Sequence, residues 1–136
     1  MKNQVIYNAA LRLLAESTAD GENEDYEERA PYLLAAFCTE MTELNAKLCE
    51  TNGQTPVAHD VVVLPLEQDF PLADRLSAAA TLYLSAMLIL ESDEERSDKL
   101  YAQYCDAVSR ISDAIPVPPE PPVIPAILEP ITNRYF

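Results

Sequence analysis

Leu76-Ser77-Ala78-Ala79-Ala80-Thr81-Leu82-Tyr83-Leu84-Ser85-Ala86-Met87-Leu88-Ile89-Leu90 is the most apolar stretch of the 136-residue chain. Its apolar side chains point all round a helix, which predicts a helix buried on every side at the centre of a bundle. Arg75 and Glu91 bound the stretch, and it is shorter than the ~20 residues that span a bilayer. Pro71 suits a first helical position, so the helix is expected to begin there. Ser77, Thr81 and Ser85 fall four apart and form a small polar stripe. Such a stripe suits a sliding or ligand surface, or a face where a neighbouring helix packs close; the second is the better reading.

Working outward, the next helix opens at Ser92-Asp93-Glu94-Glu95, a capping-box pattern. Leu100, Tyr104, Val108, Ile111 and Ile115 then recur on one face, widened by Tyr101. Upstream, residues 54–70 contain Pro56 and Pro65, which exclude a helix. Residues 61–64 suit a short strand without a visible partner, so the segment is expected to be an extended connector available for pairing in an assembly.

Before it, Asp25-Tyr26-Glu27-Glu28 is a second capping box, with acids suited to the positive end of the helix dipole. Ala30, Leu34, Phe37, Met41, Leu44 and Leu48 follow with alternating gaps of four and three, a seam for a partner helix. One helix is therefore expected over residues 25–51, kinked by Pro31 or starting after it. Asn52-Gly53 ends it. The first helix is expected over residues 3–17, with Ile6, Ala9, Ala10, Leu13 and Leu14 on its buried face. The pattern predicts an all-α bundle of about four helices in residues 1–115. Phe37, Leu44, Leu76, Tyr83 and Tyr104 are its expected core.

Composition shifts at Pro116. Of the 11 prolines, seven lie in residues 116–130, and this density predicts a Pro-rich, extended C-terminal arm over residues 116–136. The arm also carries Ile127, Leu128, Ile131, Tyr135 and Phe136. A solvated linker has no use for so much apolar surface. These five side chains are the candidate partner-binding anchors, docking on the chain's own bundle or on a neighbouring subunit.

Net charge is −14, and the 9 Lys and Arg residues never form a run, which argues against stable nucleic-acid binding. The same charge disfavours anionic membranes. With only 2 Gly, phosphate-cradling loops are also disfavoured. The residues after Met1 lack an apolar secretion core. Three cysteines, Cys38, Cys49 and Cys105, are expected as free thiols in a reducing compartment.

Catalytic and metal patterns are lacking. Neither a nucleophile elbow nor a phosphate loop nor H-E-x-x-H occurs. His59 beside Asp60 has the makings of a base and its orienter, but no Ser or Cys motif accompanies it, so His59 reads as a solvent-exposed loop residue. The cysteines lack zinc-ligand spacing. Glu22, Glu24, Asp25, Glu27 and Glu28 lack a calcium-loop pattern and read as a solvated helix start. Neither an active site nor a cofactor nor a metal is expected.

Three passages, in order, resemble small proteins encoded in the head-morphogenesis cluster of tailed phages and prophages of Firmicutes. The first is Asp25-Tyr26-Glu27-Glu28-Arg29-Ala30-Pro31, followed by a helix carrying Glu40, Glu43, Leu44 and Asn45. The second is Phe70-Pro71-Leu72-Ala73-Asp74, leading to a small-residue helix and Glu91-Ser92-Asp93-Glu94-Glu95. The third is Glu129-Pro130-Ile131-Thr132-Asn133-Arg134-Tyr135-Phe136. Such proteins are similar in size and helix content to head–tail connectors, or adaptors, that form a ring beneath the portal. The resemblance implies a virion structural protein made in the host cytoplasm. Its partners would be copies of itself, the portal and tail-side proteins. It supplies no catalytic residues, and the dense prolines of residues 116–125 depart from the group's pattern. The competing expectation is an acidic inhibitor that mimics nucleic acid. That reading calls for rows of acids along one face, whereas the acids here cluster at helix starts.

Overall fold

The computed structural model describes residues 1–16 and 23–117. Among them the chain is all-helical: α1 (Asn3–Leu13), α2 (Glu24–Glu40), α3 (Thr42–Thr51), α4 (Ser77–Leu88) and α5 (Glu94–Asp113). The helix drawn from the apolar stretch is central, as expected. α4 packs against α5, α1 and α2 and buries Ala79, Ala80, Tyr83, Leu84, Ser85, Ala86 and Leu88. The polar stripe turns inward only at Ser85; Ser77 and Thr81 are half-buried. Ser85 is fully buried beside Ala10, and the Ser77, Thr81 and Ser85 hydroxyls donate to the carbonyls of Asp74, Ser77 and Thr81. Small residues there let α1 and α4 approach closely.

Helix boundaries depart from the sequence expectation at five places. The expected single helix over residues 25–51 is two, because the chain bends at Met41 between α2 and α3. Thr42 Oγ1 bonds the carbonyls of both Cys38 and Thr39 at 3.0 Å, and Thr39 Oγ1 bonds that of Ala35. Hydroxyls that bond back to helical carbonyls compete with the helical ladder and bend it. Beyond the bend the seam rotates. Leu44 is only partly buried, contrary to expectation, and Asn45 takes the inward position.

Pro31 lies well inside α2, and the helix begins before it. Its ring removes one helical N–H, while its carbonyl accepts the Leu64 N–H at 3.0 Å and so anchors the connector. The Asp25–Glu28 capping box does not form. Asn23 is the N-cap, and Asp25 lies within the first turn, paired with Arg29 four residues on. The cap of α5 is Asp93, one residue later than expected, accepting the Arg96 N–H at 3.1 Å.

α4 starts at Ser77 rather than Pro71, after a single 3-10 turn over Asp74–Leu76. The Ala73 N–H is held by Asn45 Oδ1 at 2.8 Å, and Ala73 is extended at ψ 141°. That hydrogen bond fixes an extended residue where the helix would have continued. α1 stops at Leu13, short of the expected Ser17. Ala15 takes a left-handed φ of 60°, with Ala15 N–H on the Arg12 carbonyl and Glu16 N–H on that of Leu11. This is a Schellman ending, normally built on Gly. α3 ends in the same motif on Gly53, as expected from Asn52-Gly53.

The connector forms no strand and pairs within its own chain. The first N–H groups of a helix have no helical partner. Here Asn3 N–H bonds the Gln68 carbonyl and Gln4 N–H that of Leu66, both at 2.8 Å, while Phe70 N–H bonds Met1. Leu64, Leu66, Phe70 and Leu72 enter the core. Phe37 then sits at a junction of aromatic rings, with centroids at 6.5 Å to Phe70, 5.7 Å to Tyr83 and 6.0 Å to Tyr104. Of the expected core, Phe37, Leu76, Tyr83 and Tyr104 are buried.

Candidate functional site

The one histidine, His59, makes no hydrogen bond to its neighbour Asp60. Asp60 Oδ1 accepts the Val62 N–H at 2.8 Å, a local turn that bends the backbone. His59 is half-buried, against the expectation of full exposure, and both ring nitrogens are shielded without a hydrogen-bond partner. Neighbouring Val57, Val61 and Val62 are exposed.

The thiols divide by position. Cys38 and Cys49 are buried and Cys105 is exposed. Burial pushes the Cys38 thiol up to about 12, so at neutral pH it stays protonated and is a poor nucleophile. Buried phenols behave alike. Tyr7 is raised to about 12 by burial, with the charge of Glu27 and the neighbouring Tyr26 adding to it. Tyr83 and Tyr104 are raised by burial, then by Glu40 and Tyr101. Groups held this far from neutrality pack the core and do not exchange protons at physiological pH. Among the described residues, no group of three or more His, Cys, Asp or Glu side chains is placed to hold a metal ion.

Several polar side chains that sequence reasoning passed over act as clamps between elements. Arg29 Nη2 donates to the Leu88 carbonyl at 2.9 Å, closing the C-terminus of α4. Arg96 Nη2 donates to the Leu13 carbonyl at 2.7 Å, closing that of α1. Cationic side chains satisfy the last carbonyls and complement the helix dipole. Ser97 Oγ ties α5 to the Ala86 carbonyl at 2.7 Å. None of these pairings has a local sequence signal, because the partners lie 59, 83 and 11 residues apart.

Two of the shallow grooves on the described surface are lined mainly by apolar side chains and border α1, α4 or α5. One, about 690 Å³, lies between α1 and α4 and is lined by Ala9, Arg12, Leu13, Ala78, Thr81 and Leu82. Ala9 and Leu13 were expected to face the core, but the structure leaves Leu13 44% exposed. The other, about 320 Å³, runs between the end of α2 and α5, with Glu40, Tyr101 and Cys105 on its walls. The anchors read from the sequence, Ile127, Leu128, Ile131, Tyr135 and Phe136, lie outside the described residues.

No protein-family model, curated protein or solved structure matches the chain. The clamps and grooves therefore have to be read on their own chemistry. Among the described residues no helix is long and apolar enough to cross a membrane. The acids gather at helix starts, as Glu24, Asp25 and Glu27 in α2 and as Glu94 and Glu95 in α5.

Proposed function

We propose that this protein is a virion structural subunit, a head–tail connector of the adaptor type, acting through contacts with its own copies, the portal and tail-side proteins. The observation that carries the reading is the ordered set of three sequence passages. Two of them are physically joined in the fold. Asn45, in the first, holds Ala73, in the second, at 2.8 Å, and Phe37 stacks near Phe70. Arg29 of the first closes the helix that the second leads into. Residues used in this way serve a scaffold and not a reaction, which supports a structural role.

The acidic surface fits the same reading, since a net charge of −14 lets DNA pass nearby without adhering. Acids placed at helix starts are accounted for by the helix dipole, which weakens the nucleic-acid-mimic alternative. The protein would be made in the host cytoplasm and end in the particle.

The test is deletion of the gene from its phage or prophage, with electron microscopy of the particles, beside a binding assay between the purified chain and the portal encoded in the same genome. The expected result is DNA-filled heads without tails and measurable portal binding. Tailed, infectious particles from the deletion, with no portal binding, would refute the reading.

A further inference from the structure

The groove between α1 and α4 is an unfilled apolar face on otherwise acidic protein. Val5, Ala9 and Leu13 fall four apart along α1, and Ala78 and Leu82 fall four apart along α4, so each set shares one helix face. Val5 is 52% exposed and Leu13 44%. Arg12 is the single charged residue lining the groove. An occupant therefore needs an apolar, extended surface with a carboxylate beside it.

The chain carries such a segment. Ala126-Ile127-Leu128-Glu129-Pro130-Ile131 lies beyond the last described residue, Val117. In a polyproline II conformation, three residues make a turn, so Leu128 and Ile131 share a face. Glu129 is set beside them, opposite in charge to Arg12. The nine residues between Val117 and Ile127 would reach roughly 30 Å at about 3.1 Å per residue, enough to leave the bundle and meet another copy.

We propose that the α1–α4 groove is the receptor for residues 126–131 of a neighbouring copy. This deepens the connector reading and rests on it for the sense of a closed ring. Direction favours a neighbour over the chain's own arm. Ser97 beside Ala86 and Tyr104 at 5.2 Å from Tyr83 set α5 antiparallel to α4, and α4 lies between α5 and α1. To enter its own groove the chain has to cross from the end of α5 to the α1 side of α4. The residues available for that crossing include Pro116, Pro118, Pro119, Pro121, Pro122 and Pro125 and no glycine. A proline-dense sequence of this kind favours an extended course over a reversal. Each copy then gives one arm and accepts one, a heterologous contact that closes as a ring when the rotation allows.

The experiment uses the full chain with Cys105→Ser, which removes the exposed thiol and leaves the buried Cys38 and Cys49. One preparation also carries Leu13→Cys and a second carries Leu128→Cys; they are mixed under a mild thiol oxidant and resolved without reductant. Mixed disulfide dimers are expected, at least tenfold above mixtures in which Val57→Cys replaces Leu13→Cys. Arg12→Glu should reduce the yield severalfold, and Glu129→Arg in the other preparation should restore it. Should Leu13→Cys disturb folding, Ala78→Cys on the facing helix serves in its place.

Two results would overturn the proposal. One is a disulfide only within single chains when both cysteines are placed in one molecule, which puts the arm in its own groove. The other comes from a parallel mixture whose Leu13→Cys partner keeps Cys105: preferential linkage of Leu128→Cys to that Cys105 puts the arm in the α2–α5 groove. Portal binding is measured separately: dimers without portal binding remove the connector reading alone, and portal binding without dimers removes the groove alone.

Discussion

Phe37→Ala should be among the most damaging single substitutions in the protein. Its ring is fully buried and meets Phe70 of the connector, Tyr83 of α4 and Tyr104 of α5. Truncating a buried Phe costs about 3–5 kcal/mol, from lost apolar transfer and from the cavity left behind. The upper half of that range applies, because four separate elements bound the cavity and cannot all collapse into it. Phe37→Leu keeps most of the apolar volume and loses chiefly three aromatic pairings, worth about 0.5–1.5 kcal/mol each, so at least about 1.5 kcal/mol is expected, less than for the alanine variant. With an unfolding entropy of about 2.1 cal/mol/K per residue, the alanine variant should melt roughly 14–17 °C lower. Urea titration followed by circular dichroism measures both variants, and an unchanged slope confirms that stability alone moved. A cost below about 1 kcal/mol for Phe37→Ala, or equal costs for the two variants, would refute the junction.

Asn45→Ala leaves the Ala73 N–H without its acceptor and should cost about 1–3 kcal/mol, read by the same titration; Leu44→Ala, at a partly buried site, should cost less. Ala15→Gly relieves a left-handed residue at φ 60° and should stabilise by up to about 1 kcal/mol, seen as a higher melting temperature. Alkali should destabilise the fold. Cys38 is raised from 9.0 to about 12 and Tyr7 from 10.0 to about 12, so their protonated forms favour the folded state. That stability is whole below pH 9 and falls as the unfolded chain ionises first, by about 1.4 kcal/mol per pH unit for each such group, until pH 12. Stability that is flat from pH 8.5 to 11 would contradict the burial of these groups.

The helices and their centre were readable from local pattern, because the apolar run over residues 76–90 can satisfy its faces only by burial on all sides. Asn52-Gly53 likewise marked a helix end through the one residue type that adopts positive φ freely. Hydrogen bonds decided what the pattern left open. The bend at Met41 follows from threonine hydroxyls taking helical carbonyls, and the late start of α4 follows from Asn45 holding Ala73. Ala15 ends α1 without the glycine that normally signals such an ending, so the helix was expected to run on to Ser17, past the true stop.

Surface chemistry divides in the same way. The charge balance, the scarcity of glycine and the proline-dense arm are properties of composition, and they alone set the expectations against nucleic-acid and phosphate binding and for an extended terminus. Which apolar side chains stay outside is a property of the assembled bundle. Leu13 repeats at the right spacing to be core, yet α4 covers only one flank of α1, and Leu13 is left on the rim of the groove. The Arg29 and Arg96 clamps are equally invisible along the chain. A guanidinium finds a carbonyl 59 or 83 residues away only after packing has brought two helix ends together, because helical periodicity orders faces within one helix and carries no information about which helix end lies beside it.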